Sequence, residues 1–117
     1  MREILFRGKC PITQKWVYGD LFQHGEQRFI MADNRNTEVL PETVGQYTGT
    51  NDIDRVKIFE GDIVKNIVTD SIYAVAQDDY YAGFVIIGDS KTRFGISKLT
   101  GRSTKVIGNI YEGDEPT

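Results

Sequence analysis

A mostly β fold is predicted by three features of this 117-residue sequence. Short runs rich in β-branched and aromatic residues recur along the chain, as strands require. Glycine, asparagine, aspartate and serine separate these runs and favour turns between them. No window keeps apolar residues at the helical spacing i, i+3, i+4, i+7 over three turns. The sequence therefore predicts short antiparallel strands with one helical turn at most.

The predicted strands follow the apolar runs, in chain order Ile4–Phe6, Trp16–Phe22, Phe29–Met31, Ile63–Val68, Ile72–Val75, Phe84–Ile87, Phe94–Ile96 and Val106–Tyr111. Turns are predicted between them, at Gly8, His24–Gly25, Asp33–Asn34, Thr69–Ser71, Asp78–Asp79, Gly88–Asp89 and Gly101. The helical turn is predicted within Pro41–Tyr47, because a proline followed by an acidic residue suits the start of a helix. Gly45 would end it early.

Two segments, Lys15–Gln23 and Lys57–Lys65, share lysine, glycine and aspartate at matching places. Glycine can adopt the positive φ of a tight turn or bulge, and aspartate can accept a hydrogen bond from a downstream amide. The pattern predicts that Asp20 and Asp62 cap turns at two strand starts. A catalytic carboxylate pair is the alternative, and turn capping is favoured because Gly-Asp is common in turns. The second segment, followed by short strands, indicates a small SH3-like barrel in the second half.

The size and composition of the chain suit one domain. Residues 1–117 are assigned to it, with an N-terminal β segment over 1–50 and the SH3-like portion over 56–112. The net charge of -3 neither predicts nor excludes a polyanionic partner. A single cysteine can form no internal disulfide, which favours a reducing compartment. A charged N-terminus, and no apolar run near the about 20 residues of a membrane span, predict a cytoplasmic protein without a membrane partner.

Five sequence segments follow one another at spacings that match a known family: Arg7–Lys9, Trp16–Asp20, Leu40–Gly49, Lys57–Val64 and Val106–Glu112. Through them, essentially the whole chain resembles the YopX family of phage and prophage proteins. The resemblance implies a phage or prophage origin, hence the cytosol of a bacterial host, and a β-rich fold. It implies no established biochemical activity and supplies no catalytic residues. The chain departs from the family at Asp54–Arg55, where the family usually turns on a glycine.

Residues able to support catalysis or metal binding are few. His24 is the only histidine, whereas a zinc site needs three or four nitrogen or sulfur ligands. Cys10 could be a nucleophile paired with His24, but no spacing places them together, and a thiol near the surface is favoured. Asp52 and Asp54 alternate as in a calcium loop but lack its glycine and bidentate glutamate, so a solvated loop is favoured. The sequence predicts a non-enzymatic protein without metal or cofactor, and an unrecognised enzyme is an alternative.

One basic segment offers a second functional hypothesis. No acidic residue interrupts its five cations, Lys91, Arg93, Lys98, Arg102 and Lys105. On a strand centred at Phe94–Ile96, the apolar side chains would face inward while Lys91 and Arg93 share the outer face. These cations could track phosphates, with Tyr80 or Tyr81 stacking on bases. A solvated face neutralised by the acidic C-terminal tail is favoured, because backbone binding depends on surplus positive charge.

The leading hypothesis is therefore a phage-derived β protein that acts by binding, with a protein as its unidentified partner. Short strands leave edges to be covered or paired, so we expect self-association into a homo-oligomer. Nucleic-acid binding through Lys91–Lys105 is the runner-up. The predicted core residues are apolar and lie beside turn signals: Trp16, Phe59, Ile63, Val64, Ile86, Phe94, Ile107 and Ile110.

Overall fold

Strands form nearly all of the regular structure in a computed structural model, which describes residues 3–77, 83–88, 93–96 and 102–112. The described residues contain no α-helix, and the 3-10 turn Pro41–Thr43 lies within the segment where a helical turn was predicted. The predicted mostly β fold is confirmed. The chain divides into two compact units, Met1–Tyr47 and Thr48–Thr117.

The first unit is an antiparallel sheet with its strands in the order β4-β3-β2-β1-β5. Its strands are β1 (Phe6–Lys9), β2 (Trp16–His24), β3 (Gln27–Ala32), β4 (Arg35–Val39) and β5 (Gly45–Asn51). The last residues of β5 belong to the second unit, where β6 lies beside them. Ile30 and Val39 are almost completely buried on one face of the sheet. The Val39 side chain lies so close over Gly8 that an added Cβ there would be 2.6 Å from a Val39 methyl carbon.

Two tight turns set the register of β2, β3 and β4. His24 pairs with Gln27, and Gly25 between them has a φ of 62°. Ala32 pairs with Arg35 across Asp33 and Asn34, whose φ values are 52° and 61°. Two positive φ values in a two-residue hairpin loop are typical of a type I′ turn. Both turns lie where the sequence predicted them.

The turn predicted at Gly19–Asp20 is wrong. Both residues lie inside the nine-residue strand β2, and Asp20 is exposed. Gly19 is required for close packing instead, because an added Cβ would collide with the carbonyl oxygen of Met31. The turn predicted at Gly61–Asp62 is present, since Gly61 has a φ of 93° and Asp62 begins β7. Its hydrogen bond differs from the predicted one, because the Asp62 carboxylate accepts the N–H of an upstream residue, Phe59, at 2.8 Å. Similar sequence thus serves two different local structures.

The second unit contains a five-stranded antiparallel sheet in the order β10-β9-β8-β7-β11. Its strands are β6 (Lys57–Phe59), β7 (Asp62–Asn66), β8 (Ile72–Gln77), β9 (Phe84–Ile87), β10 (Arg93–Gly95) and β11 (Thr104–Asn109). Strand β6 lies outside this sheet, beside β5. In the described parts of the chain the strand pairing leaves two sheets with open ends rather than one closed barrel.

The core of the second unit is formed by one buried side chain from each of four strands, Ile58, Val64, Val75 and Ile86. Partly buried residues pack around it: Tyr73, Phe94, Ile96 and Val106.

The predicted core is confirmed at Phe59, Val64 and Ile86, which are all buried, and Phe94 packs against the core. The prediction for Ile110 is wrong, because its side chain is 54% exposed. Its backbone N–H donates to the Gly61 carbonyl. The predicted residues Trp16, Ile63 and Ile107 are half-buried. Ile63 and Val64 cannot both face the core, because neighbours in a strand point to opposite faces.

Candidate functional site

The β2–β3 hairpin carries apolar side chains on both of its faces. One face presents Leu21 and Ile30, which pair across the hairpin, and Ile30 is fully buried. Because side chains alternate along a strand, Tyr18 and Phe22 share the opposite face of β2. Phe22 pairs with Phe29, and Met31 lies two residues further along β3. We call Tyr18, Phe22, Phe29 and Met31 the aromatic face.

The aromatic face is open to solvent over much of its area. Tyr18 is 47% exposed, Phe22 50% and Met31 42%, while Phe29 is half-buried. The rings of Phe22 and Phe29 contact each other in a tilted arrangement, with their centroids 6.0 Å apart. Single exposed apolar residues are ordinary on protein surfaces, but neighbouring large ones rimmed by polar groups mark interaction sites. Tyrosine, phenylalanine and methionine are also residue types enriched at protein interfaces.

A buried cation lies on the same side of the sheet. Arg7 pairs with Tyr18 in the register of β1 and β2, and its guanidinium carbon lies 4.6 Å from the ring centroid of Trp16. Arg7 is only 5% exposed. A guanidinium over an indole ring is a favourable cation–π contact, stronger when shielded from water. This contact places a buried positive charge on the same face as Tyr18 and next to it.

Two carboxylates border the aromatic face. Asp20 lies between Tyr18 and Phe22 on β2 and pairs with Met31. Glu38 on β4 pairs with Phe29, and its carboxylate accepts a hydrogen bond from the Gln27 side-chain amide at 3.3 Å. Both acidic residues are exposed. The face therefore combines apolar area with negative charge.

The predicted polyanion-binding residues are only partly within the described structure. Lys91 and Lys98, like Tyr80 and Tyr81, lie outside the described residues. Arg93 begins β10 with its side chain exposed, and Phe94 and Ile96 pack against the core, as predicted. Arg102 is exposed in the turn before β11.

Arg93 and Lys105 lie on the two end strands of the second unit's sheet, β10 and β11. Three strands, β9, β8 and β7, lie between them in the order of the sheet. Lys105 also lies 4.0 Å from the Asp54 carboxylate, and the neighbouring Lys65 lies 3.2 Å from that of Asp70. Nearby acids thus offset positive charge on this part of the surface.

Cys10 and His24 are not brought together as a nucleophile and base. Cys10 follows Lys9, which pairs with Trp16 at the start of β2, whereas His24 ends that strand. Cys10 is buried rather than near the surface, so that expectation is wrong. Hydrogen bonds from the Thr13 backbone N–H, the Thr13 hydroxyl and the Ile12 N–H lower the pKa of the Cys10 thiol. A lowered pKa favours the thiolate, the reactive form of cysteine.

The prediction that Asp52 lies in a solvated loop is also wrong, as far as its side chain is concerned. Asp52 is buried, and its two carboxylate oxygens accept three backbone hydrogen bonds. Because three backbone N–H groups already bond to this carboxylate, it stabilises the fold rather than serving as a metal ligand. Within the described ranges, no three His, Cys, Asp or Glu residues are grouped so as to hold a metal ion.

The described residues define an all-β protein built from antiparallel sheets, with an aromatic face on its N-terminal unit. The family model described as YopX protein matches residues 5–115, so the chain belongs to the YopX family. No curated protein matches the chain. Over the described parts of the chain, no helix has the length and apolar character needed to cross a membrane.

Proposed function

We propose that this chain is a non-enzymatic binding protein whose partner is another protein, docked on the aromatic face. The single observation that carries the proposal is the solvent exposure of Tyr18, Phe22 and Met31 on neighbouring strands of one sheet. Burying such side chains would contribute about 25 cal/mol per Å² of apolar surface removed from water. The strands hold these side chains in place before binding, which lowers the entropic cost of association.

The charges around the face define the chemistry of the partner. Asp20 and Glu38 place negative charge beside the apolar side chains, and the Arg7 guanidinium is buried. A partner surface with apolar groups flanked by lysine or arginine would complement this arrangement. A nucleic-acid backbone would meet two carboxylates there and be repelled.

Family membership supports the cellular setting of this proposal. In a phage- or prophage-derived protein acting in the bacterial host cytosol, the partner would be a host or phage protein. Self-association into a homo-oligomer is part of the same proposal, because the chain has strand edges to cover. An SH3-like arrangement of the second unit is a further part of it, supported by its short antiparallel strands and the β6 residue Ile58 in its core.

The test is capture of proteins from lysates of induced host cells by the immobilised chain, compared across three variants. The double variant Phe22→Gln/Met31→Gln removes apolar area from the face, and Asp20→Lys reverses a bordering charge. Val68→Gln is the matched control, because Val68 is 78% exposed in a turn of the second unit. We expect one protein to be retained by the wild type and by Val68→Gln, and lost with the other two.

Retention of the same proteins by all four chains would contradict the proposal. Circular dichroism and thermal melting of each variant separate lost binding from lost folding. Exposed positions such as these usually change the free energy of unfolding by less than about 0.5 kcal/mol.

A further inference from the structure

We propose that strand β4 is the self-association surface, pairing antiparallel with β4 of a second copy about a two-fold axis at Thr37. The proposal deepens the self-association part of the proposed function and rests on it. In the described residues β4 pairs only with β3. It occupies one end of the sheet, and no strand of the described residues lies along its other edge, where another strand could add.

The other end strands are short or covered. Over the described residues, strands β6 and β10 have three residues each. The open edge of β11 is covered by the loop after β5, where the Ile53 N–H donates to the Thr104 carbonyl and the Asp52 carboxylate accepts the Val106 N–H. Strand β4 has five residues, no proline, no lysine and a register without shifts. It therefore lacks proline, lysine and a bulge among the devices that usually prevent strand addition, although it carries the charged residues Arg35 and Glu38.

The hairpin turn determines which backbone groups of β4 point outward. In a two-residue hairpin the flanking pair is hydrogen-bonded, here Ala32 with Arg35, and hydrogen-bonded and non-bonded pairs then alternate. Thr37 and Val39 therefore bond to β3, together with Arg35. The N–H and C=O groups of Asn36 and Glu38 face the open edge.

This pattern is self-complementary. With the axis at Thr37, Asn36 pairs with the partner's Glu38, and Glu38 pairs with the partner's Asn36. Each pair joins residues whose backbone groups both face outward, so the two pairs form four N–H···O=C bonds. On the shared face an amide side chain lies opposite a carboxylate in both pairs, and no like charges face each other.

The axis is perpendicular to the sheet, so it keeps both aromatic faces on the same side. Asn36 and Glu38 pair with Met31 and Phe29 on β3. The two aromatic faces would then border one continuous strand pair, and the assembly would offer a partner two adjacent copies of the binding surface.

A charge exchange tests the pairing and its register by sedimentation equilibrium over a range of protein concentrations. Asn36→Asp places a second carboxylate opposite the partner's Glu38, and we expect the dimer dissociation constant to rise about tenfold. The double variant Asn36→Asp/Glu38→Lys restores opposite charges in both pairs and should recover wild-type affinity. In a register centred on Asn36, two aspartates would still face each other and no recovery would occur.

A proline variant tests the backbone bonds. Glu38→Pro removes an N–H group that points outward and leaves every N–H group that bonds to β3 in place. Dimerisation should therefore be lost while the circular-dichroism spectrum stays unchanged. If Glu38→Pro unfolds the chain, the charge exchange alone decides. A wild-type chain that is monomeric at all concentrations would overturn both β4 pairing and self-association. A dimer equally strong in every variant would overturn β4 pairing and leave self-association standing, and neither result bears on capture of a partner by the aromatic face.

Discussion

The Asp52 carboxylate accepts a hydrogen bond from the Val106 backbone N–H, with Oδ2 3.0 Å from the nitrogen, although the two residues are 54 positions apart in sequence. Its Oδ1 accepts the N–H groups of Asp54 and Val56 at 2.8 and 2.9 Å. One buried side chain therefore closes the loop after β5 and attaches that loop to β11.

Replacing this carboxylate should destabilise the fold strongly. Asp52→Ala leaves three backbone donors without their acceptor, and we expect a loss of about 2–4 kcal/mol in the free energy of unfolding. Asp52→Asn should lower the free energy of unfolding by less, because the oxygen of the amide side chain can still accept backbone hydrogen bonds. Asp54→Ala is the control, since that side chain is exposed and its ion pair with Lys105 is 4.0 Å long. Urea unfolding checks this, and an Asp52→Ala variant within about 0.5 kcal/mol of wild type would contradict the role assigned to Asp52.

Arg55 carries a conformational cost in the same loop. Its φ is 66°, in the left-handed region that favours glycine. We predict that Arg55→Gly raises the free energy of unfolding by about 0.5–1 kcal/mol, and that Arg55→Ala does not, because alanine keeps the Cβ. Equal stability of the glycine and alanine variants in urea would count against strain at this position.

Gly61 is required for two reasons that can be separated. Its φ is 93°, and an added Cβ would lie 2.5 Å from a ring carbon of Tyr111. Gly25 also has a positive φ, 62°, but open space around it. Gly25→Ala should therefore cost about 1 kcal/mol from conformation alone, and Gly61→Ala at least about 1 kcal/mol more. Thermal and urea unfolding measure the loss of stability in each variant. Equal losses in the two variants would contradict the steric clash with Tyr111.

The Cys10 thiol should titrate below the pH of an ordinary cysteine, because hydrogen bonds from Thr13 and Ile12 lower its pKa. Thr13→Val removes the hydroxyl and should raise this pKa, whereas Thr13→Ser keeps the hydroxyl and should not. Between the folded and unfolded pKa values the folded chain holds fewer protons, so the free energy of unfolding rises with pH there. That contribution is lost as pH falls through the folded pKa. Ultraviolet absorbance of the thiolate follows the titration, and an ordinary cysteine pKa in the wild type would contradict the hydrogen bonding.

The basic segment should not bind nucleic acid strongly. Arg93 and Lys105 lie on opposite end strands, and Lys105 is near Asp54. Fluorescence anisotropy with a labelled single strand and a duplex at low salt should show no binding at tens of micromolar protein. Two results together would restore the nucleic-acid hypothesis. The logarithm of the association constant would fall with the logarithm of salt concentration, with a slope of about −0.7 to −0.9 per phosphate contact. Charge reversal at Arg93 and Lys98 would also weaken the binding.

Sequence reasoning found the apolar strands and missed the polar ones. Strand β4 reads Arg-Asn-Thr-Glu-Val, and its position at the end of the sheet leaves most of it exposed. Strand β5 contains two glycines and few apolar residues, so neither its composition nor its pattern indicated a strand. Both are held by pairing with neighbours distant in sequence, which local propensity does not record.

The aromatic face was also missed, although its signal is present in the sequence. Residues 16–22 of β2 have large side chains at alternate positions, Trp16, Tyr18 and Phe22, as well as Val17 and Leu21 between them. A strand that is apolar on both faces is either buried on both, or has one face exposed to solvent that can bind a partner. Choosing between these needs the exposure of the side chains, which only the structure supplies.

The most direct test of the aromatic face as the binding surface is a two-dimensional NMR titration of the labelled chain with the purified captured protein. We predict that the signals of Tyr18, Phe22, Phe29 and Met31 shift, broaden or disappear as partner is added. Signals from the turn around Val68 and from Arg93 should stay unchanged. Perturbations confined to the second unit, with the four signals of the aromatic face unmoved, would contradict the account.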